Sequence, residues 1–295
     1  MFDAPPPLPA LSAATLLRAL FKRPARDPGA VSAEAAAAAT RYRLAGIAVA
    51  HVARYRRELG FAGSHLPLTY CYLLAQRAHL ATMLGAAYPF RLVGAIHVDN
   101  QLSAGPAMAL DGPLELDTVV RVAPPGPNGA VHAMLDTRAT RDGGLVFACS
   151  SSYLVVRGRR TERPAASAVS AVPDKPALAA IAEWRLTAAS GREYAALSGD
   201  WNPIHLWPWS ARLMGLQRPI IHGMHTLGRV CAELERAAGR PLTQLGGRFR
   251  APVELGRSLV LAASLEDGRY TVGAGGRIAV EGQFSFDTAQ VMRDA

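Results

Sequence analysis

The apolar positions along the chain change period several times, and each change predicts a change of element. Residues 13–21 show a short helical pattern inside a proline- and alanine-rich stretch, 1–30, that otherwise reads as irregular. An alanine run and then residues 42–59 read as helix, closed by Gly60. After Pro67 a second helix is predicted over 69–84, where Leu73, Leu74, Ala78, Ala81 and Leu84 fall at helical spacing. The period then drops to two over 114–122, 130–140 and 145–156. Pro124-Pro125-Gly126-Pro127-Asn128 and Asp142-Gly143-Gly144 punctuate these runs, which predicts antiparallel hairpins. Residues 157–178 shift to Arg, Pro, Ala and Ser and read as a linker.

Beyond the linker the same order returns. A short strand at 184–188 precedes a helix entered through Ser190-Gly191-Arg192-Glu193, a capping-box pattern. A loop follows, then a helix over 223–238 and strands near 247–249, 258–265, 269–274 and 277–286, with Asp267-Gly268 and Gly275-Gly276 as turns. Pro67 precedes Gly94 by 27 positions and Pro219 precedes Gly246 by 27, each glycine leading into a strand, with Gly105 and Gly256 following at nearly equal distances. Such landmarks point to an internal duplication. The fold class expected is α+β: two long helices, each wrapped by antiparallel sheet, forming a pseudo-dimer in one chain. The predicted segments are a first unit at 31–156 and a second at 179–295. Aligning the halves sets Tyr70-Cys71 against His222-Gly223, so the chemistry described below belongs to the second unit alone. The first is left to supply packing and part of a substrate tunnel.

Composition narrows the partners. With 295 residues, 50% of them hydrophobic and 19% charged, the chain can bury a full core. Its apolar runs, such as 44–52, fall well short of the roughly 20 residues of a membrane span, so no stable membrane insertion is expected. No positive residue precedes the apolar part of 1–20, whereas Arg18, Lys22, Arg23 and Arg26 interrupt or follow it, which is the wrong order for a secretory signal. Cys71, Cys149 and Cys231 are odd in number and widely spaced, which suits neither a disulfide framework nor a metal knuckle and points to a reducing cytoplasm. The net charge of +9 is carried almost wholly by arginine, Lys22 and Lys175 being the only lysines, and no nucleic-acid recognition motif accompanies it. The charge suits an anionic substrate carrier instead, such as coenzyme A phosphates or an acidic carrier protein.

The candidate chemistry lies in Ser198-Gly199-Asp200-Trp201-Asn202-Pro203-Ile204-His205 and in His222-Gly223-Met224 seventeen positions on. Gly199 and Pro203 shape a turn that Asn202 holds through its backbone bonds, so that Asp200 and His205 can clamp a water between carboxylate and imidazole. The N–H of Gly223, at a helix start and without a side chain, suits a developing oxyanion. Together these parts imply reversible hydration of an α,β-unsaturated acyl group. His222 reads as a buried residue fixing the loop. Trp201, Trp207 and Trp209 read as packing or as a lid over the thioester arm, and His97, His132, Cys71 and Cys149 as fillers. Two blander readings stand beside this one: a surface turn with a structural histidine, or a metal held by His222 and His225 with His205 and Asp200, although no Glu completes a zinc-protease pattern.

Residues 197–205, Ala211 and Pro219-Ile220-Ile221-His222-Gly223-Met224 closely resemble the MaoC-like (R)-specific enoyl-CoA hydratases and 3-hydroxyacyl-thioester dehydratases of the hot dog fold. The resemblance implies a double hot dog in which residues 31–156 form a degenerate unit and 179–295 the catalytic one. It implies Asp200 and His205 as the catalytic pair, Asn202 as loop support and Gly223 as donor to the thioester oxygen, with Trp201, Met224 and Cys231 lining the pocket. No metal and no cofactor is expected. The partner would be an acyl-CoA or acyl carrier protein thioester, acted on by a monomeric pseudo-dimer or a homodimer. The chain departs from the family pattern at Cys231, where several relatives have serine, and at Gly256-Arg257, where Gly-Asp is common. The rival readings are a non-catalytic acyl-thioester binder and a thioesterase, because a fold does not fix a function.

Overall fold

The computed structural model describes residues 4–24, 36–158 and 178–286. The first half runs α1 (Ala13–Phe21), β1 (Ala36–Leu44), α2 (Val49–Leu59), α3 (Leu68–Leu84), β2 (Ile96–Ala104), β3 (Leu114–Val122), β4 (Val131–Arg141) and β5 (Gly144–Val156). The second half runs β6 (Ala179–Arg185), α4 (Ser190–Ser198), a 3-10 turn at Pro203–His205, α5 (Pro208–Leu213), α6 (Gly223–Ala238), β7 (Gln244–Phe249), β8 (Ser258–Ser264), β9 (Arg269–Ala274) and β10 (Arg277–Ser285). The linker reading falls mainly on 159–177, outside the described residues.

All ten strands join one sheet in the order β1-β3-β4-β5-β2-β7-β10-β9-β8-β6. Outward from the β2–β7 seam, the strands of the two halves follow in corresponding order, which is the topology a duplication would leave. The seam is antiparallel, from Asp99 opposite Arg248 to Ser103 opposite Gln244. Equivalent hairpins close on two-residue turns in both halves: Asp142-Gly143 at φ 49° and 80°, and Gly275-Gly276 at φ 56° and 76°. Two positive φ values match the twist of the flanking strands, which explains Asp-Gly and Gly-Gly at these places.

α3 and α6 pack on each other and against this sheet. In α3 every residue from Leu68 to Ala75 is buried, so no polar stripe survives over its first two turns. Pro67 caps that helix at φ −63°, a value its ring favours, where its missing N–H costs nothing. In β3 the residues Leu114, Leu116, Thr118, Val120 and Val122 alternate inward and are buried.

Three expectations need correction. The alanine run is not helical: residues 36–44 form β1, paired with β3 from Ala36–Arg121 to Leu44–Leu114, and helix begins only at Val49. Alanine's helix propensity is overridden by the pairing that an edge of the sheet offers. The capping pattern at 190–193 is displaced by three residues: Thr187 Oγ1 accepts from Ser190 N–H at 3.1 Å, and Ser190 Oγ accepts from Thr187 N–H at 3.0 Å. Counted from the helix starts, the counterpart of His222-Gly223 is Pro67-Leu68, not Tyr70-Cys71. The short helix expected at 13–21 is present as α1, and the stretch before it is held to the fold, with Leu8 buried and the carbonyls of Leu8 and Pro9 accepting from Arg77 on α3.

The halves are tied across their helices by polar groups as well as by the sheet. Arg229 and Arg236 on α6 donate to the carbonyls of Leu59 and Gly60 at the end of α2, at 3.1 and 2.6 Å, while both also pair with Glu233. Glu235 is buried, lies 3.0 Å from His65 Nε2, and accepts the N–H of Leu242 at 3.1 Å. Glu235→Ala is therefore expected to lower unfolding stability by about 2 kcal/mol, read as a urea midpoint shift, because a buried N–H loses its acceptor.

His79, in α3, is fully buried with neither ring nitrogen bonded, and burial drives its pKa down to about 3. Its folded pKa lies below the unfolded one, so the unfolded chain takes up the proton first as pH falls from about 6.5. Stability then drops by about 1.4 kcal/mol per pH unit for this group. Replacing it with Phe should shrink the stability difference between pH 7 and pH 5 by about 2 kcal/mol, measured by urea unfolding at both.

Candidate active site

The acidic loop is shaped by bonds between neighbours in sequence. α4 ends at Gly199, whose φ of 77° provides the left-handed exit. Ser198 Oγ donates to Tyr194 O at 2.8 Å and accepts Asp200 N–H at 3.2 Å. Asp200 Oδ1 accepts Asn202 N–H at 3.2 Å, and Asn202 Oδ1 accepts Ile204 N–H at 3.3 Å. These are two Asx turns in succession, and Pro203 starts the 3-10 turn that delivers His205. Ser210 of α5 donates to Pro203 O at 2.7 Å, and Arg192 to Leu206 O at 3.0 Å, so the loop is anchored at both ends. α4 approaches so closely that a Cβ on Gly191 would lie 2.0 Å from the His205 carbonyl oxygen.

The second block is pinned to the sheet's approach strand and to the loop. Ile221 N–H donates to Val253 O at 2.8 Å, and Ile220 N–H to Ile204 O at 3.1 Å. His205 Nδ1 lies 2.8 Å from Ile220 O, which makes it the N–H donor and leaves Nε2 with its lone pair in the neutral ring. His222 Nε2 donates to the Asp200 carbonyl at 2.9 Å, and its ring stacks on His205 at 3.6 Å between centroids. Asp200, His205 and His222 consequently bring their side-chain donor atoms within 4.8 Å of one another.

α6 begins immediately after His222, and the N–H groups of Gly223 and Met224 have no acceptor among the described residues. Free N–H groups at a helix start carry the positive end of its dipole. Gly223 must be glycine, because a Cβ there would meet Phe249 ring carbons at 2.6 to 2.9 Å.

Electrostatics set the protonation states. Burial lowers the His205 pKa, and the charge of Asp200 and the Ile220 carbonyl oppose that only in part. His222 is pushed well down, by burial first and then by the neighbouring His205. Tyr194, buried between His222 and His225 with ring centroids 5.0 and 5.4 Å away, has its phenol held neutral by burial and then by Asp200.

Of the residues singled out from sequence, Asp200, His205, His222, Gly223, Asn202, Pro203 and Gly199 thus belong to one constellation. Trp201 is 41% exposed, and Trp207 and Trp209 stack on each other and are also exposed. Met224 is buried in the core. Cys231 is not brought to the pair: it lies two turns, about 12 Å, farther along α6, fully buried with its thiol toward Glu235. Missed from sequence were Tyr194, Phe249 and Leu11, whose Cδ1 is where a Cβ on Gly199 would go. None of the three has a local signal, since each reaches the site from another element.

A ten-stranded antiparallel sheet wrapped on two helices, with one acid/imidazole pair facing one helix start, defines a double hot dog protein with a single equipped half. Residues 170–281 match the family model of the MaoC like domain. It is 29% identical over 227 residues to 3-hydroxyacyl-thioester dehydratase X of Mycobacterium tuberculosis, covering 75% of this chain and 78% of that one. The crystal structure of HtdX from Mycobacterium tuberculosis superposes with a TM-score of 0.67 at 24% identity, covering 84% of this chain and 99% of that. A Mycobacterium tuberculosis protein described as having a double hotdog fold superposes with a TM-score of 0.50 at 16% identity, over 81% of this chain and 92% of that.

The electrostatic account makes a test of its own. Followed by NMR, the His205 ring should titrate below its ordinary value of about 6.5, and in Asp200→Asn its midpoint should fall further, because the charge favouring the imidazolium is gone. A midpoint that rises in Asp200→Asn would contradict it.

Proposed function

We propose that this chain catalyses reversible addition of water to (2E)-enoyl thioesters, giving (R)-3-hydroxyacyl thioesters, with Asp200 and His205 as the acid/base pair and Gly223 as the oxyanion donor. The observation that carries the reading is the meeting of a carboxylate, a neutral imidazole with its Nε2 free and an unbonded helix-start N–H. In hydration, a water held by Asp200 and His205 loses a proton to the pair as its oxygen bonds to C3. The electrons move to the thioester oxygen, to which the Gly223 N–H donates a hydrogen bond, and the pair returns a proton to C2. A donor of this kind is worth about 3 to 4 kcal/mol of transition-state stabilisation. His222 and Tyr194 act as positioning residues, through the Asp200 carbonyl and the His222 ring.

The family and the named dehydratase relative support a hydro-lyase of fatty acid metabolism. The substrate carrier is coenzyme A or acyl carrier protein, both anionic, which suits the +9 net charge. Two fused units already supply the pair of helices and continuous sheet, so a monomer or a homodimer would serve. Among the described residues no helix is long and apolar enough to cross a membrane. The three cysteines are free and buried, which favours a reducing cytoplasm.

A metal-assisted variant has one observation in its favour, the cluster of Asp200, His205 and His222 donor atoms. Each of those histidines also gives a ring N–H to a backbone carbonyl, as metal ligands do. Loss of enoyl-thioester absorbance with crotonyl-CoA and longer substrates decides both questions. Turnover should survive exhaustive chelation, and Asp200→Asn and His205→Ala should each fall by about 10² to 10⁴. Activity equal in wild type and Asp200→Asn would refute the acid/base assignment, and activity lost on chelation and restored by metal would favour the variant. Release of free thiol instead would make it a thioesterase.

A further inference from the structure

Behind the oxyanion donor, the first half holds a set of polar groups that the proposed hydration does not use. Phe249, whose ring abuts Gly223, lies 5.2 Å from the ring of His97 on β2. His97 is parallel to Tyr153 of β5 at 4.6 Å and to Tyr72 of α3 at 5.6 Å. The hydroxyls of Tyr72 and Tyr153 are 3.4 Å apart, at the edge of hydrogen-bonding distance, and both phenols feel the charge of Asp200. Among the described residues His97 Nε2 is buried without a partner, as are both nitrogens of His79 and the hydroxyl of Tyr88, which neighbours Tyr153. Burial drives the pKa of His97 down to about 4, and the backbone of Asp99 takes the ring N–H, so at neutral pH the unpartnered Nε2 offers a lone pair.

An all-hydrocarbon tail laid against these rings would leave the polar atoms unmatched, at about 1 to 3 kcal/mol for each one desolvated. Buried polar groups ordinarily find partners, so an orphaned group beside a substrate site marks where a ligand atom belongs. Resting on the thioester reading above, we propose that the acyl pocket of this chain is built for a thioester whose acyl group bears a hydroxyl beyond the reacting C2–C3 bond. His97 Nε2 accepts from that hydroxyl, the Tyr72–Tyr153 pair donates to it, and together they determine specificity. The ring of Phe249 separates this polar station from Gly223, which keeps the added oxygen distinct from the one that carries the oxyanion.

The test uses the full chain and two readouts. Calorimetry compares octanoyl-CoA with saturated analogues that bear a hydroxyl at successive carbons beyond C3; kcat/KM compares the corresponding enoyl-CoA pairs. One hydroxyl position should bind at least tenfold tighter than octanoyl-CoA and raise kcat/KM by a similar factor. In His97→Phe and Tyr153→Phe that preference should fall to near unity, with crotonyl-CoA turnover within about twofold of wild type. Should His97→Phe fail to fold, His97→Gln, whose amide oxygen can accept from the hydroxyl, should keep part of the preference while Tyr153→Phe loses it. Equal or tighter binding of octanoyl-CoA by wild type, or a parallel loss on both members of a pair in Tyr153→Phe, would overturn the proposal and leave ordered water as the partner of these groups. Because binding is read without turnover, hydroxyl preference with no hydration would sink the catalytic reading alone. Crotonyl-CoA turnover with no hydroxyl preference would sink this one alone.

Discussion

A helix that starts inside a protein exposes N–H groups that nothing within the helix can satisfy. At the start of α6 this constraint organises the surroundings. Among the described residues the Gly223 and Met224 N–H groups have no acceptor, any side chain at position 223 is excluded by Phe249, and the preceding residues are held by the Val253 carbonyl and by the acidic loop. An acceptor has to be supplied from outside, and the place is already furnished with a carboxylate and an imidazole. The same geometry is missing at the equivalent helix start in the first half. There the counterpart of Gly223 is Leu68, whose buried side chain fills the space beside the helix start. One duplicated framework therefore contains one site, and the other helix is free to be buried from its first turn.

The loop and the helix start depend on each other through a short chain of bonds. His222 reaches back to the Asp200 carbonyl, His205 reaches forward to Ile220, and their rings stack. Neither block can shift without the other, so Asp200, His205 and the Gly223 N–H are held in place relative to one another. Burial makes the imidazoles neutral, and the partly buried Asp200 supplies the local charge. This is the polarity a general base needs beside a forming anion.

Much of this was legible in the sequence because it is local. Consecutive Asx turns, the proline after Asn202 and the glycine after His222 are all written within a few residues of one another. The hairpins at 114–156 and the helix over 223–238 also follow from period and turn residues alone. What was not legible depends on partners far away in the chain. The alanines of β1 have no strand character of their own and take it from β3. Thr187 caps α4 by reciprocity with Ser190, a pair outside the expected pattern. Cys231 looks like a pocket residue by position but is claimed by Glu235, and Phe249 and Tyr194 enter the site from β7 and α4.

The central claim is that one water, held on one face by Asp200 and His205, supplies both the oxygen and the proton that add across C2–C3. Its most direct test is the stereochemistry of crotonyl-CoA hydration in D₂O. The account predicts (R)-3-hydroxybutyryl-CoA carrying a single deuterium at C2 on the face to which the hydroxyl adds. An (S) product, addition from opposite faces or a scrambled label at C2 at low conversion would contradict it.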